Sequence, residues 1–298
     1  MNLTKPLPLA EGIDSAIQWI LGTFGPAISV LAATIGDIDH SLRLILRDVP
    51  PLVMVAILGA WVIWRHGARA AAGVVFCGLL IWNLGLWSRA TDTLSLVALS
   101  TSASLILGIP IGVLCAESRV ARAIITPVLD FMQTTPAFVY LIPSVIFLGI
   151  GAAPGLFATM MFALPPAARA TQLGITQVDP QIAEAGRAFG STRLQMLLKI
   201  KLPLAQPYIF LGINQCIMMS LNVVVIAALV GSGGLGTEVT SALTQLNLSK
   251  GIEAGVAIVL VAIILDRAAR ARTRTKTQTR EIEPTMRRSR KVVVHPDG

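Results

Sequence analysis

Residues 184–203 read EAGRAFGSTRLQMLLKIKLP and form a polar, helix-prone interval between long apolar runs in the second half of the chain. Gly186, Gly190 and Pro203 punctuate this interval. It carries four cations, which are Arg187, Arg193, Lys199 and Lys201. In so apolar a chain, a structured helical segment of this kind favours docking of another molecule over a simple connection between two helices.

The composition of the 298 residues indicates a membrane protein. Hydrophobic residues make up 54% and charged residues 13%, and the mean hydropathy is +0.72, whereas soluble domains carry about 25% charged residues. The formal net charge is +8, and ten of the 24 basic residues lie from Arg267 onward. A basic tail directly after an apolar helix is typical of the cytoplasmic end of a membrane protein. We therefore expect a polytopic protein in contact with the lipid bilayer and no nucleic-acid partner.

Candidate metal ligands and nucleophiles are few. The three cysteines lie inside apolar runs without a CxxC pair, and the three histidines are scattered along the chain. These patterns predict neither a disulfide framework nor a metal site. The chain also lacks the phosphate-binding sequence GxxxxGK followed by Ser or Thr. We therefore expect no catalytic residue, no metal and no cofactor on this chain, with any ATP hydrolysed by a partner subunit.

Apolar segments recur along the chain and approach the roughly 20 residues that a membrane-spanning helix needs. We expect seven spans, at residues 49–64, 70–86, 93–115, 135–150, 156–173, 207–230 and 251–265. The predicted fold class is therefore an all-α polytopic membrane protein with about seven transmembrane helices. Pro143 and the pair Pro165–Pro166 lie inside two of these segments, where prolines often mark kinks beside a pathway.

The first 48 residues mix apolar and polar positions. Ile38, Leu42 and Ile45 share one face of a helix with charged residues elsewhere, which predicts an interfacial helix. Gly22, Gly25 and Pro26 interrupt residues 13–33, so whether these enter the membrane stays open. The expected organisation is an extracytoplasmic or interfacial segment at 1–48, two accessory helices at 49–90, a transmembrane domain at 91–270 and a basic, disordered cytoplasmic tail at 271–298.

Basic loop residues predict the orientation. Those on one side of the membrane are Arg65, Arg69, Arg119, Arg122, the 187–201 interval and the tail. The opposite loops offer only Arg89 and Lys250. Because positive loops stay in the cytoplasm, the first set is expected inside. With seven spans, the N-terminus then lies outside the cell and the C-terminus lies in the cytoplasm.

Local signals predict a helix, a sharp turn and a second helix in the 179–203 loop. Asp179 is suited to cap the first helix and Pro180 to occupy its first position. Gly190 is placed to end that helix, Ser191 to cap the second, and Pro203 to stop the second before the next span. Phe189 would project as a knob. On spacing alone, this unit is either a docking element or a lipid-surface loop.

The spacing within the loop resembles a family motif. Glu184, Ala185 and Gly186, then Gly190 after three residues, then Ile200, Leu202 and Pro203 after nine more, are similar to the EAA loop of inner-membrane permeases in binding-protein-dependent ABC importers. Gly186 stands where that motif usually has a second alanine, a departure that could loosen the turn. The resemblance implies a coupling helix that fits a cleft in a cytoplasmic ATPase subunit. Its implied coupling residues are Glu184, Ala185, Gly186, Gly190, Ile200, Leu202 and Pro203.

More of the chain resembles one subgroup, the permeases of glycine betaine, proline and choline importers. The segments that carry this resemblance are MQTTPAFVYLIP (132–143), FALPP (162–166), GINQ (212–215), VVIA (224–227), GSGGLG (231–236), EAG (253–255) and LDR (265–267). They cover about residues 50–267. The resemblance implies the fold of a type I ABC importer permease in a bacterial inner membrane. It also implies three kinds of partner: two ATPase subunits, a second permease copy and an extracytoplasmic substrate-binding protein.

The glycine-rich segment at 231–236 formally matches the dinucleotide fingerprint GxGxxG. That motif counts only when it follows a strand and opens a helix, whereas here a long apolar span precedes it. We expect a flexible outer gate or a close-packed turn instead. The candidate gate residues are Gly231, Gly233, Gly234 and Gly236.

Polar residues inside the spans are candidates for the translocation path, because they are costly in lipid. The candidates are Ser102, Pro143, Asn214, Gln215 and Asn222. Hydrogen bonding between helices is the alternative role for each of the polar ones. Asn222 departs from the serine expected at this place in the family. Uncharged spans suit a zwitterion or an organic cation that is moved without tight binding.

The resulting hypothesis is a permease subunit that forms the pathway of an ATP-driven importer for glycine betaine, choline or proline. A permease of the same fold for another small solute, such as an amino acid or an organosulfonate, is the first alternative. A channel or structural membrane protein without an ATPase is the second.

Overall fold

The computed structural model describes residues 9–269, so the predicted basic tail at 271–298 lies outside the described residues. No β-strand occurs within that range, as the all-α prediction requires. The longer helices are α1 (Leu9–Asp48), α2 (Pro51–His66), α3 (Ala68–Asn83), α4 (Trp87–Glu117), α5 (Arg119–Thr134), α7 (Ala152–Thr176), α10 (Leu202–Ala228) and α12 (Leu248–Ala269). The shorter helices are α6 (Leu141–Leu148), α8 (Pro180–Ala188), α9 (Arg193–Gln195) and α11 (Leu235–Thr244).

Four helices in the described part are long and apolar enough to cross a membrane. They are Ile17–Asp48, Trp87–Glu117, Arg193–Ala228 and Leu248–Ala269. A fifth span results if α5 and the 137–148 segment, which are bent by 106°, are counted as one. The expected count of seven is therefore not confirmed, since α2 and α3 have only 16 residues each. They form an antiparallel pair in which Gly59 faces Val75 and Gly78 faces Val55.

The N-terminal segment differs from the expectation. The predicted interruption at Gly22, Gly25 and Pro26 is wrong, because α1 is continuous over 40 residues. A proline inside a helix removes one hydrogen bond and commonly kinks the helix, but here the helix continues past Pro26. Ile38 and Ile45, on the apolar face expected at the membrane interface, are 51% and 63% exposed, and the charged face packs on the protein through the buried Asp39.

The predicted fourth span at 135–150 is also wrong in its bounds. Helix α5 precedes it, a single 3-10 turn at Ala137–Tyr140 follows, and α6 adds only eight residues. Thr135 and Pro136 break the segment because the residue before a proline avoids the helical region. Pro143 lies in the first turn of α6, where its missing N–H removes no helical hydrogen bond. It therefore produces no kink.

Helices α4, α7 and α10 pack at close range through small residues. A methyl group added at Gly108 would lie 2.8 Å from the Cβ of Ala167, and one at Gly212 would lie 2.7 Å from the Cβ of Ala170. Gly112 is pressed against the Ala168 carbonyl in the same way. Small residues allow helix backbones to approach in membranes, where no hydrophobic force drives helices together. These contacts hold the ends of α7 and α10 that carry the 179–203 loop.

Hydrogen bonds between helices complete this core. The hydroxyls of Thr101 and Ser220 are 3.1 Å apart across α4 and α10, and Ser104 donates to the Met160 carbonyl at 3.0 Å. Such bonds contribute roughly 0.6–2 kcal/mol in membrane proteins. They show that the hydroxyl residues around Ser102 join helices, the alternative role considered for polar residues in the spans.

Candidate functional site

The first helix of the 179–203 loop begins as its sequence predicts. The Asp179 carboxylate accepts a hydrogen bond from the Gln181 N–H at 2.8 Å, and Pro180 occupies the first turn. The carboxylate satisfies one of the free N–H groups at the helix start. α7 thus ends at Thr176, and α8 begins at Pro180 as a separate helix that Asp179 caps.

A Schellman motif ends α8. The Gly190 N–H donates to the Arg187 carbonyl at 2.9 Å, and the Ser191 N–H donates to the Gly186 carbonyl at 3.1 Å. Gly190 has a φ of +77°, which is the left-handed conformation that this motif requires. A methyl group added at Gly190 would meet no other heavy atom within 4 Å. The glycine is therefore needed for its backbone conformation and not for packing.

Gly186 is the one buried residue of α8 and lies where the two halves of the loop meet. An added methyl group would lie 2.6 Å from the Cε of Met196 and 2.8 Å from the Cδ1 of Ile200. The absence of a side chain at Gly186 thus lets the second half of the loop pack directly onto α8. The turn is therefore closely packed, not loosened, at Gly186, where the family motif usually has alanine.

The second half of the loop differs from the prediction in its cap and in its end. Thr192, and not Ser191, caps it through reciprocal hydrogen bonds with Gln195, because Ser191 is used by the Schellman motif. Pro203 does not stop the helix: a π-helical turn at Met196–Lys201 leads directly into α10. The wider turn before Pro203 makes room for the proline ring.

The outer surface of the loop is apolar and exposed. The exposed fractions are 91% for Phe189, 64% for Leu194, 55% for Leu198 and 43% for Ile182. Glu184 and Ala185 are also exposed, whereas Ile200 and Leu202 are half-buried at the junction with α10. An exposed apolar surface with a central knob is typical of a protein-interaction site.

An ion pair fixes the exit of the loop to the transmembrane helices. The Lys201 Nζ lies 2.6 Å from the Glu117 Oε1 at the end of α4. On the other side, a methyl group at Gly174 of α7 would lie 2.8 Å from the Cβ of Tyr208 in α10. The loop is therefore held at both ends by packed helices, so that a force on α8 reaches α4, α7 and α10.

The predicted pathway residues do not form one cluster. Within residues 9–269, no hydrogen bond joins any two of Ser102, Pro143, Asn214, Gln215 and Asn222. All except Asn214 are exposed. Asn214 is half-buried, and its side-chain oxygen lacks a hydrogen-bond partner.

Gln215 and Asn222 belong to an exposed stripe along α10. Its members recur along one face of the helix and are Leu204, Tyr208, Leu211, Gln215, Asn222 and Leu229. Ser102 is exposed on α4 beside Thr101, which bonds to Ser220 of α10. The stripe is thus an apolar helix face with two polar positions near its centre.

The glycine loop, residues 231–236, lies between α10 and α11. Gly231, Gly233 and Gly234 have φ values of +85°, +82° and +78°, which glycine adopts readily. Gly236 already belongs to α11, and a methyl group added there would lie 2.5 Å from the Val224 carbonyl oxygen. A helix and not a strand precedes the loop, so the nucleotide-binding interpretation has no structural support.

A charged network that lies beside this loop is not predicted from the sequence. It joins Asp39, Arg43 and Arg47 of α1 to Asp92 of α4. The spacing of four residues between the α1 members places them on one face of a helix. That spacing is a usable signal, but the partner Asp92 is 45 residues beyond Arg47 and cannot be assigned without the fold.

Comparisons with known proteins agree with these features. A family model described as the inner membrane component of binding-protein-dependent transport systems matches residues 108–274. The glycine betaine transport system permease protein OpuAB of Bacillus subtilis (strain 168) is 45% identical over 267 residues, covering 90% of this chain and 95% of OpuAB. The glycine betaine/carnitine transport permease protein GbuB of Listeria monocytogenes (serotype 1/2a, strain 10403S) is 43% identical over 265 residues, covering 88% of this chain and 94% of GbuB.

The fold has a counterpart among solved structures. An inward-facing conformation of the MetNI methionine ABC transporter matches with a TM-score of 0.55 and 23% sequence identity, covering 61% of this chain and 94% of that chain. At this identity the likeness concerns the fold alone. The family model and the near full-length matches mean that this chain belongs to the family of inner membrane components of binding-protein-dependent transport systems.

Proposed function

We propose that this chain is the permease subunit of an ATP-driven importer for a quaternary-ammonium osmolyte of the glycine betaine class. The observation that carries this proposal is the similarity to glycine betaine permeases over nearly the whole chain. The apolar helices and the family support a multi-pass subunit of the inner membrane. Choline and proline are the further substrates to be tested.

Coupling to the ATPase is proposed for the 179–203 loop. Its exposed apolar residues surround Phe189, and its sharp turn is stabilised from within by Gly186 and Gly190. The Lys201–Glu117 pair ties it to α4. A rigid unit of this kind can convert closure of a bound ATPase into rocking of the helices. ATP would be hydrolysed on the partner subunits, and this side of the protein would face the cytoplasm.

A second copy of the chain is proposed to face the stripe on α10. Polar Gln215 and Asn222 are costly against lipid but suit a face that borders a pathway between two copies. The glycine loop at the opposite end of α10 would then face outward, toward a substrate-binding protein. In this orientation the C-terminus lies in the cytoplasm, and the N-terminus lies outside provided that α1 runs along the membrane surface and does not cross it.

The direct test is ATP-driven uptake in proteoliposomes. The chain is reconstituted with its cognate ATPase and binding protein, and uptake of labelled glycine betaine, choline, proline and methionine is compared. We expect uptake of glycine betaine that requires both ATP and the binding protein. Methionine uptake without betaine uptake would reject the substrate class, and failure of the chain to retain any ATPase in mild detergent would reject the importer assignment.

A further inference from the structure

The charged network on α1 is compact and electrically balanced. Arg47 contacts both oxygens of Asp92, with Nε to Oδ1 at 3.0 Å and Nη2 to Oδ2 at 2.6 Å. The Nε of Arg43 lies 2.6 Å from the Oδ2 of Asp39, although the N–H is not aligned for a hydrogen bond. Two arginines thus neutralise two carboxylates, each of which is only 2% exposed.

Arg43 extends this network to the glycine loop. Its Nη2 donates to the backbone carbonyl of Ser232 at 2.7 Å. A methyl group at Gly233 would lie 2.8 Å from the Nη1 of the same guanidinium. Ser232 is 1% exposed. The loop therefore wraps closely around Arg43, and the contact joins residues 189 positions apart in the sequence.

The other side of the loop is held by the residue next to Asp92. The Leu235 N–H donates to the Thr93 Oγ1 at 2.8 Å, and a methyl group at Gly234 would lie 2.6 Å from that oxygen. Arg43 and Thr93 thus contact the loop from two sides. Asp92 connects them, because it precedes Thr93 in α4 and pairs with Arg43. If the junction between α10 and α11 moves, either these contacts break or Arg43 and Thr93 move with the loop.

We propose that Arg43 is a positioning residue for the glycine loop, so that helix α1 sets the conformation of the junction between α10 and α11. The charge-assisted bond to the Ser232 carbonyl holds the loop, while Asp39 and Asp92 keep the guanidinium in place. The outward-facing position of the glycine loop rests on the proposed function. The positioning by Arg43 does not depend on which solute is transported.

The test measures amide hydrogen exchange in the full chain within its transporter complex. The variant is Asp39→Asn/Arg43→Gln, because removing Arg43 alone would leave a buried carboxylate unpaired. We expect exchange in residues 231–236 to become about tenfold faster or more, since a hydrogen bond to a charged group is among the stronger ones and local opening sets the exchange rate. Residues 51–83 should be unchanged. Arg69→Gln, at an exposed position on α3, is the matched control.

A second variant leaves all four charges in place. Gly233→Ala pushes a methyl group against the guanidinium, whereas Gly85→Ala introduces a similar left-handed strain at φ +71° with no heavy atom within 4 Å of the new methyl group. Faster exchange in the loop is expected for Gly233→Ala and not for Gly85→Ala. Arg43→Lys, which keeps the charge but reaches one acceptor at a time, should give an intermediate rate.

Two outcomes would overturn the proposal. One is unchanged exchange in residues 231–236 of Gly233→Ala. This result would reject positioning of the loop by Arg43 even if the double variant does not fold. The other is equal acceleration in residues 51–83, which would indicate a general loss of stability. Exchange is measured without substrate, so failure of osmolyte uptake by the wild type would reject the proposed function and leave this inference standing.

Discussion

Gly186 lies at a closely packed point of the 179–203 loop, so its replacement tests two effects, the packing of the turn and the helix propensity of α8. A methyl group there meets the flexible ends of Met196 and Ile200, which can move by a small amount. Alanine in place of glycine inside a helix contributes up to about 1 kcal/mol. We therefore expect Gly186→Ala to change the melting temperature of the detergent-solubilised complex little and to preserve uptake.

The matched variant Gly186→Leu has no space for its side chain. It should separate α8 from Met196, lower the melting temperature and reduce ATP-driven uptake, because overpacking typically costs about 1–3 kcal/mol. If Gly186→Leu were tolerated as well as Gly186→Ala, the close packing of this turn would be refuted, whereas equal damage by both would show that Met196 and Ile200 cannot move aside.

At Gly190, alanine and leucine variants distinguish the effect of backbone strain from the effect of side-chain size. Alanine and leucine both lose about 1–2 kcal/mol in the left-handed conformation, yet no atom of the described chain lies within 4 Å of the added β-carbon. We expect both variants to insert into the membrane, Gly190→Ala to retain much of its uptake and Gly190→Leu to lose it, because the larger side chain would meet the docked ATPase. Equal uptake by the two variants would show that Gly190 does not face a partner.

At the scale of the element, the stripe on α10 predicts where two copies meet. Single cysteines at Leu204, Leu211, Gln215 and Asn222 should give oxidised dimers at one position or more, because these residues are exposed and recur on one face. The native cysteines Cys77, Cys115 and Cys216 are buried. Ile57→Cys, on the exposed face of α2, is the control that should stay monomeric on a non-reducing gel. Monomers at all four stripe positions would contradict the proposed contact.

Elements with local signals can be predicted from the sequence, and those set by distant contacts cannot. Asp179 and Gly190 act on backbone groups within four residues, so the start and the end of α8 follow from their chemistry. The bend between α5 and α6 also has a local signal in Pro136, which the prediction of a single span at 135–150 overlooks. The inward face of α1 depends instead on Asp92 and on the Ser232 carbonyl, which only the fold brings near.

At the scale of the whole molecule, the 179–203 loop has signals in its own sequence, whereas the conformation of the glycine loop depends on residues that are distant in the sequence. The motif spacing of the 179–203 loop is read directly from residues 184–203. For the glycine loop the sequence predicts either a flexible outer gate or a close-packed turn and cannot decide between them, because glycines are permissive. In the structure three of its positions are closely confined: Gly233 by Arg43 of α1, Gly234 by Thr93 of α4, and Gly231 by Ile150 in the turn before α7.

The assembly with the ATPase gives the last prediction. Glu184 is exposed on α8 among apolar residues, and reversing its charge should weaken ATPase binding because like charges or an unpaired cation at an interface cost several kcal/mol. We expect Glu184→Lys to reduce the ATPase that co-purifies with the tagged chain. Glu253→Lys, the same change at another exposed glutamate near the start of α12, should leave co-purification unchanged. Equal retention by both variants would remove Glu184 from the interface, whereas equal loss would mean that the effect is one of net charge and not of docking.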